Sequence, residues 1–499
     1  MTGRYILALD EGTTSARSIA FDRTGAIAAV AQREFEQRYP APGDVRHDPE
    51  AIWSAQLETA SEVVAAVGGA EAIAAIGVTN QRETAVVWER AGGRPVADAI
   101  VWQSRVTAPF CESLRAAGHE ASVRARTGLP LDAYFTGPKV RQILVEDPPL
   151  RARAQRGELA AGTVDSFLIW RLTGGRVHAT DVSNASRTLL LDIHRAAWDE
   201  DLLRLMEVPA ALLPEVRSSS EVYGETDPSL FGRPIPIAGA AGDQQAATFG
   251  QACHAFGEAK VTLGTGAFLL ANTGSKPVES GHGLLATIGW QLGQGAPIVY
   301  AVEGSVFITG AAVQWLRDGL GLIADSSEVE TLAGRVADSG GVVFVPAFVG
   351  LGAPYWDPDA RGAILGLTRG SGAAEIARAT LEAVAYQVRD VVEAMDGDLG
   401  APLTELRVDG GGGGDLVCQL IADQVGRPVE RPVARETTAF GAAALAGLAV
   451  GFWSDPAEIA AIRAVERRFM PAGTDARRDA GYRAWRRAVE RARGWATPS

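Results

Sequence analysis

The residues best suited to chemistry stand near the start of the chain, in Ile6–Arg17, which reads ILALDEGTTSAR. Ile6, Leu7, Ala8 and Leu9 form a short apolar run that predicts a buried strand, and Asp10 ends it with a charge. Gly12 permits a tight turn, after which Thr13, Thr14 and Ser15 offer hydroxyls and backbone N–H groups that can converge on a polyphosphate. Asp10 would stand beside them as a carboxylate on the magnesium side. Read alone, the stretch is equally a plain hairpin with a polar tip. A second stretch, Lys260–Leu270, KVTLGTGAFLL, repeats the design: an apolar strand, a turn at Gly264, Thr265 and Gly266, and a return strand. Two phosphate-type hairpins thus open two halves of similar length, which reads as an internal duplication at low sequence identity.

The elements between the hairpins must bring other side chains to them. Asp48 and Pro49 mark a helix start, and Ile52, Trp53, Leu57, Ala60, Val64 and Val67 recur at helical spacing until Gly68-Gly69. A strand over 72–78 delivers Thr79 to Thr84 at its C-terminal end, where ligands collect in open α/β sheets, and a strand over 99–102 does the same for Trp102, Gln103 and Arg105. Residues 107–230 read as more helical and loop-rich, with Tyr134, Lys139 and a helix start at Thr163 to Ser166. A strand over 234–238 runs into Gly239 to Gln245, and a domain boundary is expected near Gly250, giving domains 1–250 and 251–499. In the second half Glu375–Met395 is an amphipathic helix with Ile376, Leu381, Val384, Val388, Val391 and Met395 on one face. Leu406 and Val408 belong to a strand before the glycine run 410–414, a turn that lets a flat group approach backbone closely.

Composition narrows the classes. A chain of 499 residues with 47% hydrophobic and 21% charged residues is globular and fits two or three domains. A net charge of −13 argues against nucleic acid as a partner. Of the 47 basic residues only Lys139, Lys260 and Lys276 are lysines, so arginine abundance is a chain-wide bias and no clue to function. Cys111, Cys253 and Cys418 are widely spaced and odd in number, which suits a reducing cytoplasm, and no metal-ligand spacing occurs. The start of the chain leads straight into its first strand, without the pattern of a signal peptide. Thr437–Ser454 carries no charge over 18 residues, but its alanine and glycine content reads as a buried helix packed on another helix or a nucleotide, with no integral membrane segment expected.

With these pieces in order the chain resembles the FGGY carbohydrate kinases, and within them the branch that acts on glycerol. The stretches that carry the resemblance include ALDEGTTSAR, HDPEAIW, GVTNQRET, IVWQSR, NASRT, AGDQQAA, LGTGAF, FVGLGAPYWDPDARGAILGLTRG and LAVGFW, and the match runs from the first strand to about Arg468. The resemblance implies an α/β, two-domain actin-like ATPase (ribonuclease H-like) fold, each domain a mixed sheet flanked by helices, closing on a cleft for MgATP and substrate. It implies transfer of the ATP γ-phosphoryl group to glycerol, giving glycerol 3-phosphate and ADP, in a cytoplasmic enzyme that self-associates.

A triol offers only hydroxyls, so a specific pocket needs donors and acceptors in fixed geometry. By resemblance Arg82, Glu83, Tyr134, Asp243 and Gln244 grip glycerol, and Trp102 and Phe268 wall its carbon chain. Asp243 matches the family's catalytic aspartate, a carboxylate placed to take the attacking hydroxyl's proton; it is also suited to capping a helix that begins near Gln244. The resemblance carries Thr13, Thr14, Ser15, Arg17, Thr265, Gly310, Gln314, Gly411 and Asp415 to the nucleotide, and Asp10 to Mg2+ through water. Ordinary helix packing is the other reading of Gly310 and Gln314, and Lys139 reads as either structural or ligand-binding. The chain departs from the family where Glu11 replaces a usual glutamine, where Pro138 and Gln142 alter a signature near Tyr134, at Val106, and in the glycine run that ends at Asp415. Glu11 would weaken ATP binding unless it points away or binds magnesium.

Three other readings remain open at this level: a kinase for another polyol or a ketose, a non-catalytic actin-like ATPase of the filament or chaperone kind, and a degraded kinase acting as a regulator. The Arg82, Glu83, Tyr134, Asp243 and Gln244 constellation favours the kinase of glycerol.

Overall fold

The computed structural model describes residues 3–472 and 474–496. Its first sheet contains β1 (Tyr5–Glu11), β2 (Ser15–Phe21), β3 (Ile27–Glu34), β4 (Ile73–Asn80), β5 (Ser220–Glu225) and β6 (Pro236–Gly242), in the order β5-β6-β4-β1-β2-β3. β1, β2 and β3 form an antiparallel meander, while β4 runs parallel to β1 and β6 parallel to β4. The second sheet contains β7 (Ala259–Leu263), β8 (Ala267–Gly274), β9 (Leu285–Gln291), β10 (Ile298–Val306), β11 (Leu406–Asp409), β12 (Val429–Pro432) and β13 (Val465–Phe469), in the order β9-β10-β8-β7-β11-β12-β13. Here β7, β8 and β10 repeat the meander, and β11 and β12 repeat the parallel pair. The duplication inferred from two hairpins is therefore a duplication of whole sheets, with β9 added at one edge.

The continuous apolar run of β1 follows from its position, because a strand covered on both faces has no solvent side to mark with polar residues. Leu7 and Leu9 enter one core with Ile52, Trp53, Val63 and Val64 of α1 (Pro49–Ala66), which Asp48 caps through the Glu50 amide at 2.9 Å. Ile6 and Ala8 enter the opposite core. The helices covering that second face include α3 (Asp243–Gly250) and α7 (Thr437–Ala449); the chain also forms α2 (Thr136–Glu146), α4 (Gly310–Asp318), α5 (Ala373–Leu399) and α6 (Asp415–Val425).

α7 is the uncharged alanine and glycine stretch, and its composition has a steric cause. A Cβ added at Gly441 would lie 1.8 Å from the Ala246 carbonyl oxygen of α3, and one at Gly77 of β4 would lie 2.1 Å from the Ala442 carbonyl oxygen. Backbones approach so closely there that only small residues fit. A segment from late in the chain thus covers the first sheet, beneath the end of β6. In the second half Leu381, Val384, Val388, Val391 and Met395 of α5 pack on Val261, Leu263, Val302 and Val306, as their helical spacing predicts, and Ile376 is partly buried beside them. No helix among the described residues is long and apolar enough to cross a membrane.

Candidate active site

β4 and β6 lie side by side in the first sheet and end together, so the segments that follow them emerge at one place. After β4 come Gln81, Arg82 and Glu83; after β6 comes Asp243, the first residue of α3. Asp243 Oδ1 accepts from the Gln244 amide at 2.7 Å and lies 3.2 Å from Arg82 Nε, so its helix-start position and its place beside Arg82 coexist. Gly242 makes this possible, since a Cβ there would stand 2.7 Å from Arg82 Cγ and Cδ.

Arg82 and Glu83 are almost fully buried. Glu83 has φ +61°, a left-handed conformation that costs a residue with a Cβ free energy and persists only where surroundings enforce it. Lys139, on α2, supplies that enforcement. Its buried ammonium donates to the carbonyl of Glu83 at 3.2 Å, to that of Phe135 at 3.3 Å and to that of Tyr134, while Thr136 Oγ1 donates to Glu83 at 3.3 Å. Burial pulls the lysine pKa down to about 7, opposed by nearby Glu83 and Asp132. Three carbonyl acceptors match the three donors of an ammonium, so of the two readings of Lys139 the structural one accounts for all of them.

Three aromatic rings come together beside these groups. Trp102 meets Tyr134 edge-on at 5.7 Å and Phe268 at 6.3 Å, so residues of the first half and the return strand of the second-half hairpin meet at one place. Gln244 accepts from the buried ammonium of Lys260, which also donates to Thr262 Oγ1 at 2.8 Å. All seven residues expected around the polyol, Arg82, Glu83, Trp102, Tyr134, Asp243, Gln244 and Phe268, are linked by these contacts.

Three further residues lie in the same network without having been singled out in the sequence. Arg187 donates from Nε to Glu83 Oε1 at 2.6 Å and from Nη2 to Glu303 Oε1 at 3.3 Å. Glu303, on β10, accepts from both terminal nitrogens of Arg82, at 2.5 and 2.9 Å. Gln245 accepts from Arg82 Nη1 at 3.4 Å and donates to the Ile288 carbonyl at 3.2 Å. Glu303 and Gln245 together take three of the five guanidinium N–H donors of Arg82, which leaves Nε beside Asp243 and one N–H on Nη2. Burial raises the Glu303 pKa, but Arg187, Arg82 and Lys260 outweigh it and hold the carboxyl near 2. Glu303 is the lone charge in IVYAVEGSV, a signal available in the sequence, because an unpaired carboxylate in a buried strand is prohibitively costly.

The first phosphate-type hairpin sits next to this pocket. Trp102 Nε1 donates to Thr13 Oγ1 at 3.0 Å, and Gln37 Nε2 to the Thr13 carbonyl at 2.7 Å. Thr14 is exposed and Ser15 partly so, with Ser15 Oγ accepting from Gln32 at 3.1 Å. Arg17 donates to Gln32 at 3.1 Å and pairs with Glu436 at the start of α7. Asp10 is partly exposed, yet loss of solvent pushes its pKa up to about 7, against Arg17 and helped by Glu436 and Asp243. Glu11 is fully buried and accepts from Gln81 Nε2 at 3.1 Å, and burial holds its carboxyl well above the usual range. The side chain thus lies in the protein interior, against Gln81.

On the other half Gly264 and Thr265 are exposed at the tip between β7 and β8. The Gly310 amide donates to the Gly264 carbonyl at 3.0 Å, and a Cβ at Gly310 would lie 2.4 Å from that oxygen, so this glycine packs α4 against the hairpin. Gln314, one turn further along α4, is exposed. The turn after β11 needs Gly410 at φ +86°, where a Cβ would meet the Leu263 carbonyl oxygen at 2.4 Å, whereas Gly411 faces open space. Asp415 begins α6 with its carboxylate paired to Arg431 at 2.7 Å and to Arg467. Among the described residues no group of three or more His, Cys, Asp and Glu is arranged to hold a metal ion by protein ligands alone.

A duplicated sheet, a hairpin tip on each half and a buried polar cluster between them define the class: a two-domain α/β fold of the actin-like ATPase kind. The chain belongs to the FGGY family of carbohydrate kinases, whose N-terminal domain matches residues 5–250 and whose C-terminal domain matches residues 259–450. It is 56% identical to a glycerol kinase of Carboxydothermus hydrogenoformans over 498 residues, covering 99% of each chain. It is 57% identical to a glycerol kinase of Aromatoleum aromaticum, covering 98% of this chain and 99% of that one. The crystal structure of Plasmodium falciparum glycerol kinase with ADP superposes with a TM-score of 0.92 at 34% identity, covering 98% of each chain.

Proposed function

We propose that this enzyme transfers the γ-phosphoryl group of ATP to a terminal hydroxyl of glycerol, with Asp243 as the proton acceptor. The observation that carries the reading is the meeting of Arg82, Asp243, Trp102, Tyr134 and Phe268 in one pocket that touches the Thr13 hairpin through the indole of Trp102. Donors and acceptors there would face a polyol's hydroxyls, and the rings of Trp102 and Phe268 its carbon chain.

In the reaction the terminal hydroxyl oxygen bonds to γ-phosphorus while the bond from that phosphorus to the ADP oxygen breaks, and the hydroxyl proton passes to Asp243. Phosphoryl transfer asks mainly for alignment and charge neutralisation. Arg82 fixes the carboxylate of Asp243 at 3.2 Å, and Glu83, with Oε1 committed to Arg187, keeps Oε2 as an acceptor for a second hydroxyl. Thr13, Thr14, Ser15 and Arg17 from one half and Thr265, Gly310, Gln314, Gly411 and Asp415 from the other would bind the nucleotide.

A carboxylate such as Asp10, short of solvent and near two others, suits a cation held largely by phosphate and water. Mg2+ held there would neutralise phosphate charge. On this reading residues 1–250 carry the polyol site, apart from Phe268, and the first phosphate hairpin, and residues 251–499 carry the rest of the nucleotide site. Three free, buried cysteines support a cytoplasmic enzyme, and self-association is inferred from the family resemblance.

The test is kcat/KM over glycerol, 1,2-propanediol, xylitol, ribulose and xylulose with saturating MgATP. Glycerol should lead, and loss of one hydroxyl should cost up to ~10⁴-fold where buried partners are left unpaired. A pentose or pentitol outrunning glycerol contradicts the reading.

A further inference from the structure

We propose that Glu303 is a positioning residue for the polyol pocket: from the second sheet it holds Arg82 and Arg187 of the first half, so that the pocket has its hydroxyl-reading geometry only while the two halves are docked. This rests on the polyol reading of the same site. Glu303 and Ser305 alternate along β10 with Val302 and Val306, which face the core of the second half, so the carboxylate points the opposite way, out of its own core. There it is fully buried and makes a bidentate pair with Arg82 at 2.5 and 2.9 Å. The same carboxylate reaches Arg187 at 3.3 Å, and Arg187 carries the chain of contacts on to Glu83 at 2.6 Å. Two of the residues that would read hydroxyls, the donor Arg82 and the acceptor Glu83, are therefore oriented through one carboxylate of the other half.

The bidentate contact fixes the plane of the Arg82 guanidinium, which decides where its remaining Nη2 donor points and keeps Nε beside Asp243. A purely adhesive contact between halves has no need of a charge, since apolar residues of similar volume hold buried interfaces as well or better. Arg187 adds a second sign of the same design. Its third nitrogen, Nη1, is buried and lacks a hydrogen-bond partner, although Nε and Nη2 are both committed to carboxylates.

The experiment is steady-state kinetics with glycerol and ATP varied separately, on the wild type, Glu303→Gln, Arg82→Met and the double variant. Glu303→Gln should raise glycerol KM by about tenfold or more while ATP KM stays within about twofold. In the Arg82→Met background the same change should add less than it does in the wild type, because one of the two arginines it positions is already gone. Arg187→Lys keeps the charge but loses the fork that bridges Glu83 and Glu303, and should show the same split, which gives a second reading if the Glu303 variant folds poorly. Penalties that multiply in the double variant, ATP and glycerol KM rising together, or an unchanged glycerol KM in Arg187→Lys would overturn the inference. A wild type inactive on glycerol would instead overturn the polyol reading beneath it.

Discussion

Replacing Lys139 by methionine removes an ammonium while keeping the length of the side chain. Of the three carbonyls it serves, that of Glu83 keeps Thr136 Oγ1 at 3.3 Å, whereas that of Tyr134 loses its donor. One orphaned buried acceptor costs about 1–3 kcal/mol. The loss of charge-assisted bonds adds to this, and relief of the ammonium's own desolvation, which pulls its pKa down to about 7, subtracts from it. The net is about 2 kcal/mol, a fraction of the 5–15 kcal/mol typical of a domain, so the variant should fold. Its cost falls on Glu83, held at φ +61°, and on Tyr134, both on the polyol side. If the loosened segment must be re-ordered on binding, about 2 kcal/mol becomes roughly a 30-fold rise in glycerol KM. The assay is thermal unfolding together with KM for glycerol and for ATP. A folded Lys139→Met protein with glycerol KM within about twofold of wild type, or with ATP KM rising equally, refutes the argument.

Trp102→Phe keeps the aromatic wall but loses the indole N–H to Thr13, so ATP KM should rise about 3–10-fold together with glycerol KM, as one net hydrogen bond would give; substrate-by-substrate kinetics check it. Glu303 is depressed from 4.5 to about 2, so its stabilising contribution is complete above pH 4.5 and is lost as pH falls toward 2. That shift corresponds to roughly 3 kcal/mol, and denaturant unfolding across this window should fall more steeply for the wild type than for Glu303→Gln.

Much of this was legible in the sequence because it follows from local chemistry. The paired hairpins, the Asp48 cap and the amphipathic face of α5 each depend on residues close in the chain. The charge-free stretch at α7 was legible as buried, but its partner was not: what it packs on, Gly77 and Ala246, lies hundreds of residues away. Arg187 escaped for the same reason, since its partners Glu83 and Glu303 are distant in the chain, whereas Glu303 showed itself as the lone charge of its strand without showing what it pairs with. Glu11 in place of a usual glutamine adds a negative charge beside the phosphate-type hairpin in the sequence, whereas in the fold its side chain is fully buried. Strand alternation sends adjacent side chains to opposite faces, and only the fold shows which of the two is buried.

The central claim, that Asp243 takes the proton as γ-phosphoryl moves to glycerol, is tested most directly by single-turnover phosphoryl transfer in Asp243→Asn. The amide can still hydrogen-bond a hydroxyl but cannot accept its proton, so glycerol affinity by calorimetry should stay near that of the wild type. The transfer rate should fall by ~10²–10⁴-fold, the range of a lost general base. Transfer within about tenfold of the wild type would contradict the account.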